Sequence, residues 1–153
     1  MRPNVLLLCT GPTTIPAGTR SAELVQLIDL GATILTAVGL RPLGEGQDLL
    51  PLATNRATGR GWALSEYRNS GHPYPTPIHL TMLRRDHWKL VVQHASPATA
   101  RTGELYDLAA DPNELQNLWD DPLHRDIRTE LQEFLLDVLV ATEDRSQERV
   151  ADW

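Results

Sequence analysis

The run from Gly103 to Leu118, Gly-Glu-Leu-Tyr-Asp-Leu-Ala-Ala-Asp-Pro-Asn-Glu-Leu-Gln-Asn-Leu, restricts the fold more than any other part of the chain. Leu105, Tyr106 and Leu108 suit a half-buried strand running from Glu104 to Leu108. Asp111, Pro112 and Glu114 follow as an acid, a proline and a second acid three residues on. That spacing predicts a capping box with proline at the first helical position. A lone strand is not stable, and three partners stand upstream. Trp62 to Tyr67 is a strand, and Asn69 to Pro77 is a proline-rich loop. Ile78 to Arg84 and His87 to His94 form a hairpin with a tight turn at Arg85-Asp86. Ser96 to Thr102 is a polar loop before the fourth strand. Asp121-Pro122 then opens the longest helix, which runs to about Glu143. Leu123, Ile127, Leu131, Phe134, Leu135 and Val138 fall at steps of three and four on one face. The expected fold class is α+β, in the manner of an α/β sandwich. About four antiparallel strands pack against a long C-terminal helix, because that arrangement buries both apolar patterns. The tail from Asp144 to Trp153 is charged and expected to be loose.

At 153 residues the chain is long enough to bury a core as one domain. Its net charge of −6 argues against nucleic acid or an anionic membrane surface as partner. One cysteine, Cys9, excludes an internal disulfide and fits a reducing compartment. The apolar run Val5 to Cys9 is too short for a signal-peptide core or a membrane span, so the expected location is cytoplasmic.

The run Gly103 to Leu118 resembles the C-terminal signature of the sulfatase family. Arg2-Pro3-Asn4-Val5-Leu6-Leu7-Leu8 resembles the first strand of such an enzyme, and equally suits a buried strand of any α/β protein. In the family that strand leads into a pair of aspartates that bind a divalent metal. Here Gly11 and Pro12 stand in their place, and neither has a side-chain oxygen for a hard cation. The family's nucleophile is a formylglycine made from Cys or Ser in the pattern Cys/Ser-x-Pro-x-Arg. Cys9-Thr10-Gly11-Pro12-Thr13 departs from that pattern by one extra residue before the proline and by the missing arginine. A second metal-binding Asp-Asn or Asp-His pair is not found, nor are the family's His and Lys that hold the sulfate. The resemblance therefore implies no catalytic residue, no metal and no cofactor in this chain.

From Gly18 the resemblance is continuous. Gly18 to Gly39 resembles the family stretch that runs to a short helix: Asp29 is its N-cap, Leu30, Ile34, Leu35 and Val38 its apolar stripe, and Gly39 its left-handed stop. Ala32 stands where the family often has proline. Arg41 to Pro51, with Gly44, Gly46 and Asp48, resembles a loop ahead of the C-terminal subdomain, and the hairpin with Arg84 and Trp88-Lys89-Leu90 matches again. The implied organisation is a remnant N-terminal strand and loop over 1–17, a connecting helix and loop over 18–52, and a C-terminal-like subdomain over 53–153. The central catalytic region of the family is absent from it.

Several side chains invite a sharper reading. Arg84, Arg85, His87 and Lys89 cluster around the hairpin turn, as candidate anion-binding residues for a sulfate or carboxylate or as charges that keep a hairpin tip soluble. His79 and His94 are expected on one hairpin face without a third metal ligand. Glu104, Asp107, Asp111 and Glu114 suggest a carboxylate cluster, although turn and capping chemistry accounts for Asp111 and Glu114. Trp62 and Trp88 suit the sheet core better than a carbohydrate platform. Three function classes remain. One is a sulfatase-family binding or assembly module, inactive alone; another is a hydrolase of sulfate or phosphate esters whose site is unrecognised or is completed by a partner chain; the third is a gene remnant. Leu24, Val25, Leu27 and Ile28, the strand Val5 to Leu8 and the run Leu49 to Leu52 would pack on a catalytic domain that is absent here. This predicts a homo-oligomer, most simply a dimer, unless the N-terminal segment folds back onto its own sheet and closes the monomer.

Overall fold

In the computed structural model, residues 15, 18, 20–42, 44–69, 78–94 and 100–142 are described. The run Val5 to Leu8, Cys9, Gly11, Pro12, His72 and the tail from Asp144 lie outside them, as does most of the loop between the first two strands. Four strands, β1 (Trp62–Arg68), β2 (His79–Arg85), β3 (Trp88–Gln93) and β4 (Thr102–Asp107), form one antiparallel sheet in sequence order. The hairpin turn is Asp86-His87, one residue later than the sequence suggested. Arg85 stays in register opposite Trp88, and Asp86 takes the left-handed φ of 52° that a two-residue turn requires.

Register explains the core. Leu64 faces Leu83, Leu83 faces Leu90 and Leu90 faces Leu105, so four leucines stack in one row across the sheet. The long helix α3 (Arg125–Ala141) covers that row with Leu131 and Leu135, and Phe134 meets Trp62 edge-on. Each fully buried leucine is worth about 1.5–3 kcal/mol. One single 3-10 turn, Pro122–His124, precedes α3, and the Asp121 carboxylate caps it by accepting from the amide of Leu123. Leu123 is 89% exposed and leaves the predicted stripe, because its residue lies in that turn rather than on the helix.

The capping box at Asp111 does not start a helix. Asp111 does accept from the amides of Leu115 and Gln116, at 2.6 and 2.8 Å, but Glu114 adopts a φ of 57°, which a helix cannot continue. The segment instead returns along the outer edge of β4. Leu118 donates its amide to the Leu105 carbonyl, and the Asn117 side chain bonds both the Leu105 amide and the Gly103 carbonyl. Trp119 then lies over Gly103, where any Cβ would strike its ring and the Val91 carbonyl. The opposite edge is met at one point by Gln26, whose side chain accepts from the amide of Leu64.

Helix α1 (Ile28–Ala37) ends as expected. Gly39 sits at φ 77°, with Leu40 bonded to the Leu35 carbonyl and Gly39 to that of Thr36. Its orientation differs from the sequence expectation. Asp29 and Ala32 are the buried positions, whereas Ile34 and Val38 point outward. Asp29 is not the N-cap but lies inside the first turn, 1% exposed, where its carboxylate accepts from the amides of Gln26 and Gln47 and pairs with Arg60. A short helix, α2 (Leu50–Ala53), is fastened to α1 through Thr33, whose hydroxyl donates to the Asp29 carbonyl and accepts from the Leu49 amide. Gly46 permits the approach, since a Cβ there would stand 2.6 Å from the Ile28 carbonyl oxygen.

Candidate functional site

Strand alternation divides the four residues around the hairpin turn. Arg84 and Lys89 are register partners and share the sheet face turned away from α3, with Tyr106 next in the row. Arg85 lies on the other face, its guanidinium 4.3 Å from the Phe134 ring centre and 3.2 Å from the Glu130 carboxylate. His87 occupies the turn, exposed, its ring tilted over Trp88 at 5.1 Å. The structure thus brings two of the four together. Of these, Lys89 already has a partner: its ammonium pairs with Glu114 at 2.5 Å, with both side chains about nine-tenths buried, and lies 5.6 Å from the Tyr106 ring centre. Burial, with Glu104 next in weight, pushes the Tyr106 hydroxyl above its ordinary value. Arg84 is half-buried, and its Nε has no hydrogen-bond partner among the described residues.

The counter-ion Glu114 was hidden from sequence reasoning, which assigned it to a cap. It lies 25 residues from Lys89, and only its left-handed backbone turns the carboxylate toward β3. The other acids of that group are separately employed. Asp107 accepts from the amides of Ala109 and Ala110, and Asp111 closes its own loop. Glu104 is hydrogen-bonded to the Tyr106 side chain, on which Glu114 and Asp111 also act, and among the described residues no three of these acids are placed to hold a metal ion.

A second grouping stands at the opposite end of the sheet. His79, the first residue of β2, and His94, just past β3, stack with ring centres 4.4 Å apart. Nε2 of His94 is 2.8 Å from the Thr81 hydroxyl. Nε2 of His79 accepts from Arg68 Nε at 2.9 Å and lies 3.4 Å from a Glu66 carboxylate oxygen. Burial is the main cause holding His94 below its ordinary value, followed by the charges of His79 and Arg101. Among the described residues no three His, Cys, Asp or Glu side chains are placed to hold a metal ion, and no helix is long and apolar enough to cross a membrane.

Residues 3–141 match the profile of the family described as N-sulphoglucosamine sulphohydrolase, C-terminal. The chain belongs to the sulfatase family. Its relatives include arylsulfatase K of Homo sapiens, 32% identical over 126 residues, and that of Gallus gallus, 33% identical over 125. Both matches cover 75% of this chain and 22% of the relative, so this sulfatase-family chain spans about a fifth of their length. A protein solved in complex with its substrate D-glucosamine-2-N,6-O-disulfate has the same fold over 92% of this chain and 29% of its own, with a TM-score of 0.73 at 22% identity. The phosphonate monoester hydrolase of Agrobacterium radiobacter matches 76% of this chain and 25% of its own, with a TM-score of 0.62 at 25% identity. The four-stranded sheet with its crossing helix is thus the C-terminal subdomain of the sulfatase fold.

Proposed function

We propose that this chain is an assembly module of a sulfatase-type hydrolase, inactive by itself, and that the outward face of α1 docks it onto the rest of such a fold. That remainder is either a further stretch of the same polypeptide or a separate chain, and without it two copies pair on the same face. The α1 surface carries this reading. Leu27, Ile34, Val38 and Leu40 are 80, 65, 67 and 59% exposed, and no charged residue occurs from Leu30 to Leu40. A helix facing water normally carries charge on its outer side, whereas depletion of charge with exposed aliphatic groups marks the centre of an interface. Gly31 lies between Leu27 and Ile34 on that face, and a Cβ there would meet nothing within 4 Å. Glycine within a helix costs about 0.5–1 kcal/mol relative to alanine, and close approach by a partner backbone supplies a reason for it.

The residues do not fit the family's divalent metal. Gly11 and Pro12 offer no side-chain oxygen at the matching positions, and Cys9 lacks the surrounding nucleophile motif. Two measurements test the reading. Light scattering should give a mass above 17.0 kDa that falls on dilution, and Ile34→Lys with Val38→Lys should yield a folded monomer. A constant mass near the monomer value would overturn self-pairing. Purified protein, given calcium and a formylglycine-generating enzyme, should not hydrolyse an aryl sulfate. Turnover above a Cys9→Ala control would make Cys9 the nucleophile and the chain an enzyme.

A further inference from the structure

We infer that two copies of the chain also meet along the open half of β1, antiparallel across a two-fold axis at Tyr67, with Glu66 of each opposite Arg68 of the other. The inference rests on the self-pairing through α1 and names the register in which the copies meet. Main-chain direction carries it. Asn69 donates its amide to the Ile78 carbonyl, on the β2 side, whereas the Leu64 amide is taken from the other side by Gln26. These directions alternate along an antiparallel strand, so Leu64, Glu66 and Arg68 turn their N–H and C=O groups to the border of the sheet. Gln26 occupies that border at Leu64. At Glu66 and Arg68 no main-chain partner stands there among the described residues.

Charge then selects one register. Border-facing residues must oppose border-facing residues, which puts the two-fold on a residue rather than between two. An axis at Glu66 sets two carboxylates face to face, an axis at Arg68 sets two guanidinium groups face to face, and an axis at Ser65 requires the amide that Gln26 holds. An axis at Tyr67 opposes Glu66 to Arg68 twice, and each of these pairs exchanges two main-chain hydrogen bonds. Glu66 and Arg68 already pair within one strand at 3.2 Å, so the four side chains form a square of alternating charge. Tyr67, 51% exposed, faces its own counterpart on the opposite side of the sheet. Leu27, 80% exposed, directly follows Gln26, so the start of the apolar α1 surface adjoins the open border. A pairing from Ser65 to Asn69 is too short to hold two copies alone, and exposed ion pairs add little affinity. The α1 surface supplies the affinity and β1 the register.

Charge reversal in the full chain tests the register by light scattering. Glu66→Arg alone opposes Arg to Arg68, and Arg68→Glu alone opposes Glu to Glu66. Each should weaken pairing about tenfold. An equimolar mixture of the two variants restores opposite charges at both positions and should recover the parent's mass, as should the double reversal in one chain. Single variants that pair like the parent, or a mixture no heavier than its components, would overturn the inference. Hydrogen exchange gives a reading that needs no variant. The main-chain amides of Glu66 and Arg68 should exchange slowly where the parent is paired and rapidly once it is diluted to monomer. A paired parent whose two amides exchange freely would overturn the β1 register and leave the α1 contact standing. A parent that is monomeric at every concentration would overturn both.

Discussion

Arg60 and Asp29 stand 31 residues apart in sequence, yet their side chains are 6% and 1% exposed and joined by an ion pair. A charge removed from water requires a partner charge and further hydrogen bonds, which the amides of Gln26 and Gln47 provide. Asp29→Ala leaves the Arg60 guanidinium buried without compensation and should cost about 3–5 kcal/mol. Urea denaturation measures it, and a midpoint like that of the parent would mean the pair is solvated in solution. His94 gives a second expectation at this scale. Its protonation is disfavoured in the folded protein, chiefly by burial, so the unfolded chain takes up the proton first as pH falls below 6.5. Stability from this group is therefore complete above pH 6.5 and declines on acidification. His94→Gln should flatten the fall of the melting temperature below that pH, and a slope identical to the parent's would exclude His94 as its source. Neither residue's role was legible beforehand. Asp29 has the spacing of a helix start, but nothing near it in sequence announces Arg60, and a histidine's burial depends on which ring the register sets beside it.

Among the elements, those with strong local patterns were readable and those set by distant contacts were not. Alternation and aromatic content located all four strands, and the three-and-four spacing located α3, because each element's own side chains carry its period. Leu131 and Leu135 occupy the expected core positions beneath the leucine row. Leu135→Ala should cost about 2–5 kcal/mol, since the four strands prevent the cavity from collapsing. An unchanged melting temperature would mean that α3 detaches from the sheet in solution. Two elements departed from their patterns. The stretch after Asp111 has helical capping spacing, but Lys89 draws Glu114 away and Asn117 offers β4 the hydrogen bonds a neighbouring strand would give. Helix α1 has an apolar stripe that suggests a core, yet a buried Asp29 anchors the opposite face. The same ambiguity affected the candidate anion site. A cluster of basic residues in sequence says nothing of the alternation that sends Arg84 and Arg85 to opposite sides of a sheet.

For the whole molecule, the borders of the sheet decide what kinds of larger assembly are open to it. An antiparallel sheet ordinarily grows by adding a strand where main-chain groups are unsatisfied. On the β4 side those groups are engaged by Leu118 and Asn117, with Trp119 seated across the bare backbone at Gly103. On the β1 side the central Leu64 amide is held by Gln26. Among the described residues, a visiting peptide would have to displace several contacts to add beside β4 and the Gln26 contact to add beside the whole of β1. If copies of the chain meet on the face of α1 proposed above, such a meeting of two bodies ends after one step instead of propagating into a fibre.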